Sequence, residues 1–497
     1  MMQPIPRNLT RLAGHIALAG FPITLTAQLP RDAAPDIRAR IPAIERYITE
    51  QMQRNRIPGV AVAIVAKDSV IYARGFGTDG LGGSITERTG FVLGSMSKSV
   101  TALAVMQLVE RKLVQLDAPV QRYLPWFRVA DVRASARITV RQLLLQTSGI
   151  PTNAPRATGA TRTLTDQVRA LADVQLHHPP GAVHEYASPN YLVLGALVEA
   201  VSQRSFASYV ETSIFAPLGM HDSHANQVTA LDRENPGHLS SGHVYVFGFP
   251  AARALPHEAD RLPTAALISS AADLGRFLVA QLRTNSSEVL SAAGFVQMHT
   301  GGAPSDGFSY AFGWRDGTIA GEHAVHHGGI VPNFRGKMVM LPERRLGVVV
   351  LTNVSSLIPW PIAPTSHVMA DGIAATLLGV TLPVPSDRHR WLFGAIAAAA
   401  LLVTLHQVRG LLRIVRSRPR GRLTTRDRLS IVADLAFVAA VVFGLPRLAG
   451  LSWQELLSGA PDVAWWLIVA ASVSLATAGA RVMRSDRSRS QDLTDSA

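Results

Sequence analysis

The stretch that organises this chain is Phe91-Val92-Leu93-Gly94-Ser95-Met96-Ser97-Lys98, which opens a long apolar segment. Apolar residues recur in that segment at helical spacing, which predicts a helix: Val100, Leu103, Ala104 and Leu108. If the helix begins at Ser95, the Lys98 amine lies on the same face, beside the serine hydroxyl. A nearby base would make that hydroxyl a nucleophile, and the unbonded N–H groups at a helix start suit an oxyanion. Spacing alone also fits a helix-capping serine followed by a solvated lysine.

The composition favours a membrane protein over an ordinary soluble enzyme. The chain has 497 residues, enough for two or three domains, of which 47% are hydrophobic and 17% charged. It has no cysteine, which excludes disulfides, cysteine-bound metals and a thiol nucleophile. The net charge is +13, and about half of the excess comes from an arginine-rich loop at residues 409–428. Because that loop lies between two apolar segments, it indicates membrane topology and not nucleic-acid binding.

Residues 1–28 have the pattern of a secretory signal. Arg7 and Arg11 precede an apolar run from Leu12 to Ala27, and cleavage is expected near Ala27. His15 and Pro22 interrupt the apolar run, so an uncleaved anchor or a disordered arm is the alternative. The pattern predicts export of the segment that follows.

Residues 35–385 are predicted to form an α+β domain. A helical pattern at Pro35–Arg56 precedes a buried strand at Gly59–Val65, which turns back into a second strand at Val70–Ala73. A mostly helical region then runs to about residue 300. The pattern ends with three strands and a helix, at Tyr310–Trp314, Gly336–Leu341, Leu346–Leu351 and Ile362–Leu378. Strands at both ends with helices between them predict one antiparallel sheet with a helical insertion.

Residues 388–497 are predicted to form a membrane region of three transmembrane helices. The spans are Trp391–Val408, Leu429–Leu445 and Val463–Ala480, each about long enough to cross a bilayer core of ~30 Å. Buried helices of a soluble domain are the alternative, but flanking arginines argue against it. By the positive-inside rule the 409–428 loop is cytoplasmic, so residues 29–390 are expected outside the cytoplasmic membrane.

Further segments extend the pattern around Ser95 and Lys98. They are Leu116-Asp117-x-Pro119-Val120-x-x-Tyr123-Leu124-Pro125, Ile138-Thr139-Val140-Arg141-Gln142-Leu143-Leu144-Leu145-Gln146-Thr147-Ser148-Gly149-Ile150, Pro180-Gly181-x-x-x-x-Tyr186-Ala187-Ser188-x-Asn190-Tyr191-x-x-Leu194-Gly195 and His327-Gly328-Gly329-Ile330-Val331-Pro332-Asn333-Phe334, followed by Leu341-Pro342-Glu343 and Leu351-Thr352-Asn353. Together they resemble the serine β-lactamase and penicillin-binding-protein family, in its class C β-lactamase, DD-peptidase and esterase branch. The resemblance covers about residues 40–378. No Gly-x-Ser-x-Gly elbow occurs, which argues against an α/β-hydrolase.

The resemblance implies a catalytic role for four side chains. Ser95 would attack a carbonyl and form an acyl-enzyme. Tyr186 matches the tyrosine of the family's Tyr-x-Asn motif and would act as base, with Lys98 supporting it or taking the proton itself. The residues do not decide between these two bases. His327, rather than its neighbour His326, matches the family's Lys/His-x-Gly triplet on a sheet-edge strand, where it would orient substrate and pass protons to the leaving group.

The resemblance also implies a substrate-binding and oxyanion site. The N–H groups of Ser95 and Ile330 would form the oxyanion hole. Gly328 and Gly329 would let backbone and substrate approach closely. Ser188 stands where the family has asparagine, and its hydroxyl is shorter and donates only one proton. This departure argues against efficient β-lactam hydrolysis more than against acyl transfer itself.

Other departures and alternatives carry less weight. Gln146 stands where histidine is common, which we interpret as a structural change, and Asn333 replaces a usual glycine. His221-Asp222-x-His224 has metal-binding residue types, but it lacks a third ligand and lies in a segment that is structural in relatives. We therefore expect no metal and no other cofactor.

The function predicted from the sequence is that of a membrane-anchored, extracytoplasmic serine hydrolase. Its substrate would be an ester, a D-amino-acid peptide or a β-lactam-like amide, either a small molecule or derived from the cell wall. The expected partners are that substrate and the lipid bilayer, with no nucleic acid. A catalytically inactive binding or sensing module on a membrane anchor is the alternative. A transport role for the spans is disfavoured, because Asp434 is nearly the only acidic or basic residue inside them.

Overall fold

The structure is a computed structural model that describes residues 37–157, 162–254 without 233 and 236, 258–356, 365–380, 388–417, 423–444 and 452–494. It divides into two compact units, one at Ile37–Arg390 and one that includes Trp391–Ala497. The signal-like segment 1–28 lies outside the described residues.

The strands are short to medium in length and lie in the first unit. They are β1 (Gly59–Ala66), β2 (Ser69–Gly77), β3 (Phe91–Val92), β4 (His243–Val246), β5 (Phe249–Ala252), β6 (Ile268–Ser269), β7 (Ala303–Ser305), β8 (Phe308–Tyr310), β9 (Arg315–Ile319), β10 (Glu322–Val331), β11 (Phe334–Leu341), β12 (Leu346–Thr352) and β13 (Val354–Ser355). Eight of them form an antiparallel sheet in the order β2-β1-β12-β11-β10-β9-β8-β7. Two small sheets complete the set, β13-β4-β5 and β3-β6.

Helices flank this sheet and fill the insertion between β2 and β7. They are α1 (Ile37–Asn55), α2 (Ser97–Glu110), α3 (Val132–Ser135), α4 (Val140–Leu144), α5 (Leu164–Arg169), α6 (Ser188–Ser202), α7 (Phe206–Val210), α8 (Gln227–Ala230), α9 (Ala271–Leu282), α10 (Ala292–His299) and α11 (Thr365–Leu378). Single turns of 3₁₀ helix lie at Gly94–Met96, Val120–Arg122, Ala259–Arg261 and Pro342–Arg344, and π turns lie at Glu211–Phe215 and Leu262–Ala266.

Both faces of the sheet are buried, each in its own hydrophobic core. Successive side chains of a strand point to opposite faces, so β1 contributes alternate residues to the two cores. Val60, Val62 and Ile64 pack with α1 and α11 on one face, and Ala61, Ala63 and Val65 pack with the core of α2, α6 and α9 on the other. This arrangement confirms the predicted α+β fold with an antiparallel sheet and a helical insertion.

Two local features differ from the expectations based on the sequence, and both lie beside α2. The Ser95 segment begins as a 3₁₀ turn, and the α-helix starts only at Ser97. The predicted strand Tyr310–Trp314 ends at Tyr310, because the chain leaves the sheet there. Gly313 has φ +74°, and a Cβ on it would lie 2.8 Å from the Lys98 carbonyl oxygen. The close approach to α2 therefore replaces strand pairing at this point.

The second unit is helical throughout its described residues. It contains most of α12 (Arg388–Arg416), then α13 (Thr425–Ala439) with a π turn at Ala440–Gly444, α14 (Trp453–Gly459) and α15 (Pro461–Thr494). By length and composition, two described segments are apolar enough to cross a membrane, Ala397–Arg416 and Pro461–Arg484. The third predicted span, Leu429–Leu445, overlaps α13 and its π turn and is not one of these two segments. Asp434 in α13 forms an ion pair with Arg481 of α15.

Candidate active site

Ser95 lies in a tight turn that is pressed against β10. Gly94 has φ +57°, a left-handed conformation that favours glycine. A Cβ on Gly94 would lie 2.6 Å from the Ile330 nitrogen, and one on Gly329 would lie 1.9 Å from the Leu93 carbonyl oxygen. The two glycines therefore allow the serine turn and β10 to meet through their backbones.

The Lys98 side chain is fully buried and reaches back to the serine. Its Nζ lies 3.1 Å from Ser95 Oγ and donates to the Thr264 carbonyl oxygen at 3.0 Å. Burial lowers the pKa of the Lys98 amine, and the nearby Tyr186 phenol opposes that shift. An amine that loses its charge readily can accept the serine proton, so this pair has the chemistry of a nucleophile and its base.

Tyr186 lies in the loop before α6, with its ring close to the lysine. Lys98 Nζ is 5.0 Å from the centre of the Tyr186 ring. The same ring lies 5.6 Å from that of Tyr310 and 6.3 Å from that of His327, measured between centroids. The structure thus brings Ser95, Lys98, Tyr186 and His327 into one cluster.

Gln146 anchors the segment that presents Tyr186 and Ser188. Its side-chain oxygen accepts hydrogen bonds from the Ala187 N–H at 3.0 Å and from Asn190 Nδ2 at 2.6 Å. Asn190 in turn accepts from the Ser148 hydroxyl at 2.5 Å. Ser188 is the half-buried first residue of α6. The glutamine therefore holds the start of α6, which supports a structural interpretation of its departure from the family pattern.

His327 lies on β10, where one edge of the strand opens. β9 pairs with β10 from Glu322 to His326, and the remaining residues of β10 pair with β11 alone in the described structure. Gly328, Gly329 and Ile330 lie along that open edge. Such an edge offers backbone N–H and C=O groups to an extended ligand. His327 is an interior-strand residue beside this edge, and not on an edge strand of the sheet.

The two neighbouring histidines have different surroundings. His327 is buried, its Nε2 lies 3.1 Å from the Tyr310 hydroxyl, and its Nδ1 lies 2.7 Å from the Gly328 carbonyl oxygen. Burial, then the charges of Arg315 and Lys98, lower the pKa of His327 well below its usual value. For His326, burial and the charges of Lys337 and Arg315 lower the pKa to about 2. The structure thus places His327, and not His326, next to Tyr186 and Tyr310.

Sequence reasoning missed several residues of the site. The sequence pattern predicts only an ordinary strand residue at Tyr310, and it gives no signal for Thr264 or Arg315. Arg315 is half-buried, with its guanidinium carbon 4.7 Å from the centre of the Phe308 ring. Its Nε is buried without a hydrogen-bond partner among the described residues. None of these residues carries a local signal, because each reaches the site only through the tertiary fold.

Known proteins share both the sequence pattern and the fold. Protein flp from Staphylococcus aureus (strain N315) is 28% identical over 320 residues, which are 63% of this chain and 63% of that protein. Penicillin-binding protein 4 from Amycolatopsis lactamdurans is 34% identical over 246 residues, which are 48% of this chain and 64% of that protein. The chain therefore spans less than two thirds of the length of these curated relatives.

Solved structures of penicillin-binding-protein-like proteins are also similar to this chain. The octameric penicillin-binding protein homologue from Pyrococcus abyssi superposes with a TM-score of 0.58 at 26% identity, over 69% of this chain and 78% of that one. The D-alanine carboxypeptidase AmpC from Burkholderia cenocepacia superposes with a TM-score of 0.55 at 21% identity, over 70% of this chain and 99% of that one. At this level of identity the superposition shows a shared fold and nothing more. The family model described as Beta-lactamase matches residues 44–359, well over half of the chain. The chain therefore belongs to the Beta-lactamase family, which includes penicillin-binding-protein-like members.

Proposed function

We propose that this protein is a serine hydrolase that forms an acyl-enzyme on Ser95. The observation that carries the proposal is the contact between Ser95 Oγ and Lys98 Nζ at 3.1 Å, made by a lysine that is fully buried. A buried amine with a lowered pKa has no evident structural benefit, since it forms no ion pair among the described residues. The free-energy cost of burying this amine is understandable if the amine takes the serine proton.

The rest of the cluster supports the later steps of acyl transfer. Tyr186 lies close enough to Lys98 to share the proton and to return it to a leaving group, so both remain candidates for the base. The Ser95 and Ile330 N–H groups are proposed to bind the oxyanion, a contribution of about 3–4 kcal/mol in other enzymes. The close approach of Gly94 to the Ile330 nitrogen supports this assignment. Gly328 and Gly329 would then line the acyl group, and Ser188 would contact it.

The surroundings of Arg315 favour a substrate that carries a carboxylate. Burial, and then the positive charge of Arg315, lower the pKa of His184 and of His327, so the guanidinium lies near the cluster. It has no carboxylate partner among the described residues. A half-buried cation without a counter-ion is suited to bind an anionic group of a ligand. We therefore place D-amino-acid peptides and β-lactam-like amides ahead of neutral esters.

The proposal also includes a membrane anchor with the catalytic unit outside the cytoplasm. Two described segments are long and apolar enough to span a bilayer, and the third predicted span overlaps α13. The arginine-rich residues 409–428 would lie in the cytoplasm under the positive-inside rule. This topology requires the first span to run inwards, which puts the residues before it on the outer side.

The experiment is covalent labelling of membranes that contain the full chain. A fluorescent penicillin and a fluorophosphonate are applied to the wild type, to Ser95→Ala and to Ser97→Ala. Ser97 is the matched control, because its hydroxyl is buried without a hydrogen-bond partner among the described residues. Label that is lost in Ser95→Ala and kept in Ser97→Ala supports the enzyme. A folded wild type that takes up neither probe supports the inactive binding or sensing module.

The preference for an anionic substrate needs a separate comparison. Hydrolysis of a D-amino-acid peptide with a free carboxyl end is compared with hydrolysis of its methyl ester or amide, in the wild type and in Arg315→Met. We expect Arg315→Met to reduce kcat/KM for the carboxylate by at least tenfold and to leave the uncharged analogue nearly unchanged. Arg122→Met, which removes an exposed arginine elsewhere on the unit, serves as control. An equal loss for both substrates would remove the case for carboxylate recognition.

A further inference from the structure

Tyr310 occupies a central place in the cluster without an assigned role. It is the last residue of β8 and is completely buried. Its ring lies 5.6 Å from that of Tyr186, 5.5 Å from that of His184 and 5.8 Å from that of His327, between centroids. Its hydroxyl lies 3.1 Å from His327 Nε2. Tyr310 therefore contacts the ring nitrogen of His327 that does not contact the Gly328 carbonyl oxygen.

The two hydrogen bonds of His327 determine where its proton lies. A carbonyl oxygen only accepts, so the 2.7 Å contact with Gly328 requires a proton on Nδ1. Burial keeps the imidazole neutral, because it lowers the pKa of His327 well below the usual value. Nε2 then carries the lone pair, and the Tyr310 hydroxyl donates to it. Burial also raises the pKa of Tyr310 well above its usual value, so the donor proton is present.

We propose that Tyr310 is a positioning residue that holds His327 in the neutral Nδ1–H tautomer, with its Nε2 lone pair engaged by the tyrosine hydroxyl. This inference rests on the proposed acyl transfer for its purpose, but the tautomer itself does not depend on activity. It also alters the role expected for His327. With both ring nitrogens bonded inside the protein, the imidazole orients the open edge of β10, and it does not protonate a leaving group unless the Tyr310 contact breaks.

A neutral His327 suits the chemistry proposed at Lys98. When Lys98 takes the serine proton it becomes a cation, and a second cation at His327 would oppose that step. A hydroxyl that donates to Nε2 stabilises the uncharged imidazole and thereby removes this repulsion. The titratable and charged groups around His327 come from five segments of the chain: His326 on β10, Arg315 on β9, Lys98 on α2, Tyr186 before α6 and Tyr310 on β8.

The test is the tautomer of His327, read by solid-state ¹⁵N NMR of the ¹⁵N-histidine-labelled full chain in lipid vesicles. The His327 signals are assigned by their loss in His327→Asn. We expect a protonated Nδ1 and an unprotonated, hydrogen-bonded Nε2 in the wild type. In Tyr310→Phe the Nε2 signal should move to the chemical shift of an unprotonated nitrogen that accepts no hydrogen bond. The pH at which Nε2 takes up a proton should then rise by roughly half a unit to one unit.

Tyr209→Phe is the matched control. Tyr209 is similarly buried in the same hydrophobic core, but its hydroxyl has no hydrogen-bond partner among the described residues. Its removal should leave the His327 signals unchanged. An Nε2–H tautomer in the wild type would overturn the proposal, even if Tyr310→Phe did not fold. It would also be overturned by unchanged signals in Tyr310→Phe, or by equal changes in both variants. Absence of hydrolysis would count against the proposed function only, since the NMR readout needs no substrate.

Discussion

A side chain on Gly329 would collide with the backbone of Leu93, because its Cβ would lie 1.9 Å from the Leu93 carbonyl oxygen. β10 and the serine turn are therefore held together by direct backbone contact. The same approach brings the Ile330 nitrogen next to Gly94. The spacing between the proposed nucleophile and the proposed oxyanion donor thus depends on two glycines.

Gly329→Ala should separate these two elements. A backbone carbonyl cannot yield as a flexible side chain does, so β10 must move, at a cost of about 1–3 kcal/mol in the free energy of unfolding. A shift of this kind would slow acylation by about 100-fold, measured as the rate of fluorophosphonate labelling. Gly317→Ala on β9 is the control, since its Cβ would find its nearest atom at 3.3 Å. A normal labelling rate in Gly329→Ala would contradict the importance of this contact.

Substitution of His367 should offset part of the destabilisation caused by substitution of Gly328. A Cβ on Gly328 would lie 2.5 Å from the His367 ring, which packs against β10. Gly328→Ala is expected to destabilise the protein by about 1–3 kcal/mol through overpacking. In Gly328→Ala/His367→Ala this overpacking is gone, so denaturant unfolding should give a double-mutant coupling of at least about 0.5 kcal/mol. If the effects of the two substitutions on the free energy of unfolding simply add, the His367 ring moves aside for the methyl group of Gly328→Ala without cost.

Lys98→Met should change how stability depends on pH. Burial lowers the pKa of Lys98 in the folded state below the ordinary value of 10.5. At a pH between the folded-state pKa and 10.5, the unfolded chain therefore binds one more proton than the folded chain. Stability of the wild type therefore rises with pH across this window, and it reaches its full value above 10.5. Lys98→Met lacks this contribution, so its unfolding free energy should rise less steeply.

The measurement for Lys98 is urea unfolding of each variant from pH 6 upwards. Lys112→Met, which removes an exposed lysine just after α2, should keep the slope of the wild type. Parallel pH profiles for the wild type and Lys98→Met would show that the buried amine keeps its proton on folding. Labelling of Lys98→Met at Ser95 is expected to be at least 100-fold slower, since the variant lacks either the base itself or the amine that supports Tyr186 as base.

Gln146→Ala should weaken the start of α6. The substitution leaves the buried amide of Asn190 and the Ala187 N–H without their acceptor, at a cost of about 1–3 kcal/mol. Because Tyr186 and Ser188 flank Ala187, labelling at Ser95 should also slow in protein that is still folded.

Gln107→Ala is the matched control for that effect. Gln107 is also buried and donates two hydrogen bonds, to the carbonyl oxygens of Ser213 and Val289. Its loss should lower the thermal midpoint by a similar amount and leave the labelling rate unchanged. Equal loss of labelling in both variants would indicate general loosening and not a specific effect on Tyr186.

The sequence by itself determined the elements whose signal is local. The Ser95 and Lys98 pair follows from a spacing of one turn, and the strand at β1 follows from an unbroken apolar run. Motif order along the chain was sufficient to indicate the α+β fold and to single out Tyr186 and His327. These features depend on neighbours within a few residues, or on a pattern that the chain shares with its family.

Only the tertiary structure decided which distant groups complete the site. Tyr310, Thr264 and His367 come from three separate segments, and nothing near them in the chain indicates contact with His327, Lys98 or Gly328. The same limit explains the error at Tyr310–Trp314, where contact with α2 at Gly313 overrides strand propensity. Hydrogen bonds and close packing between remote segments depend on how the whole chain folds, because local periodicity determines which face a residue occupies but not what packs against it.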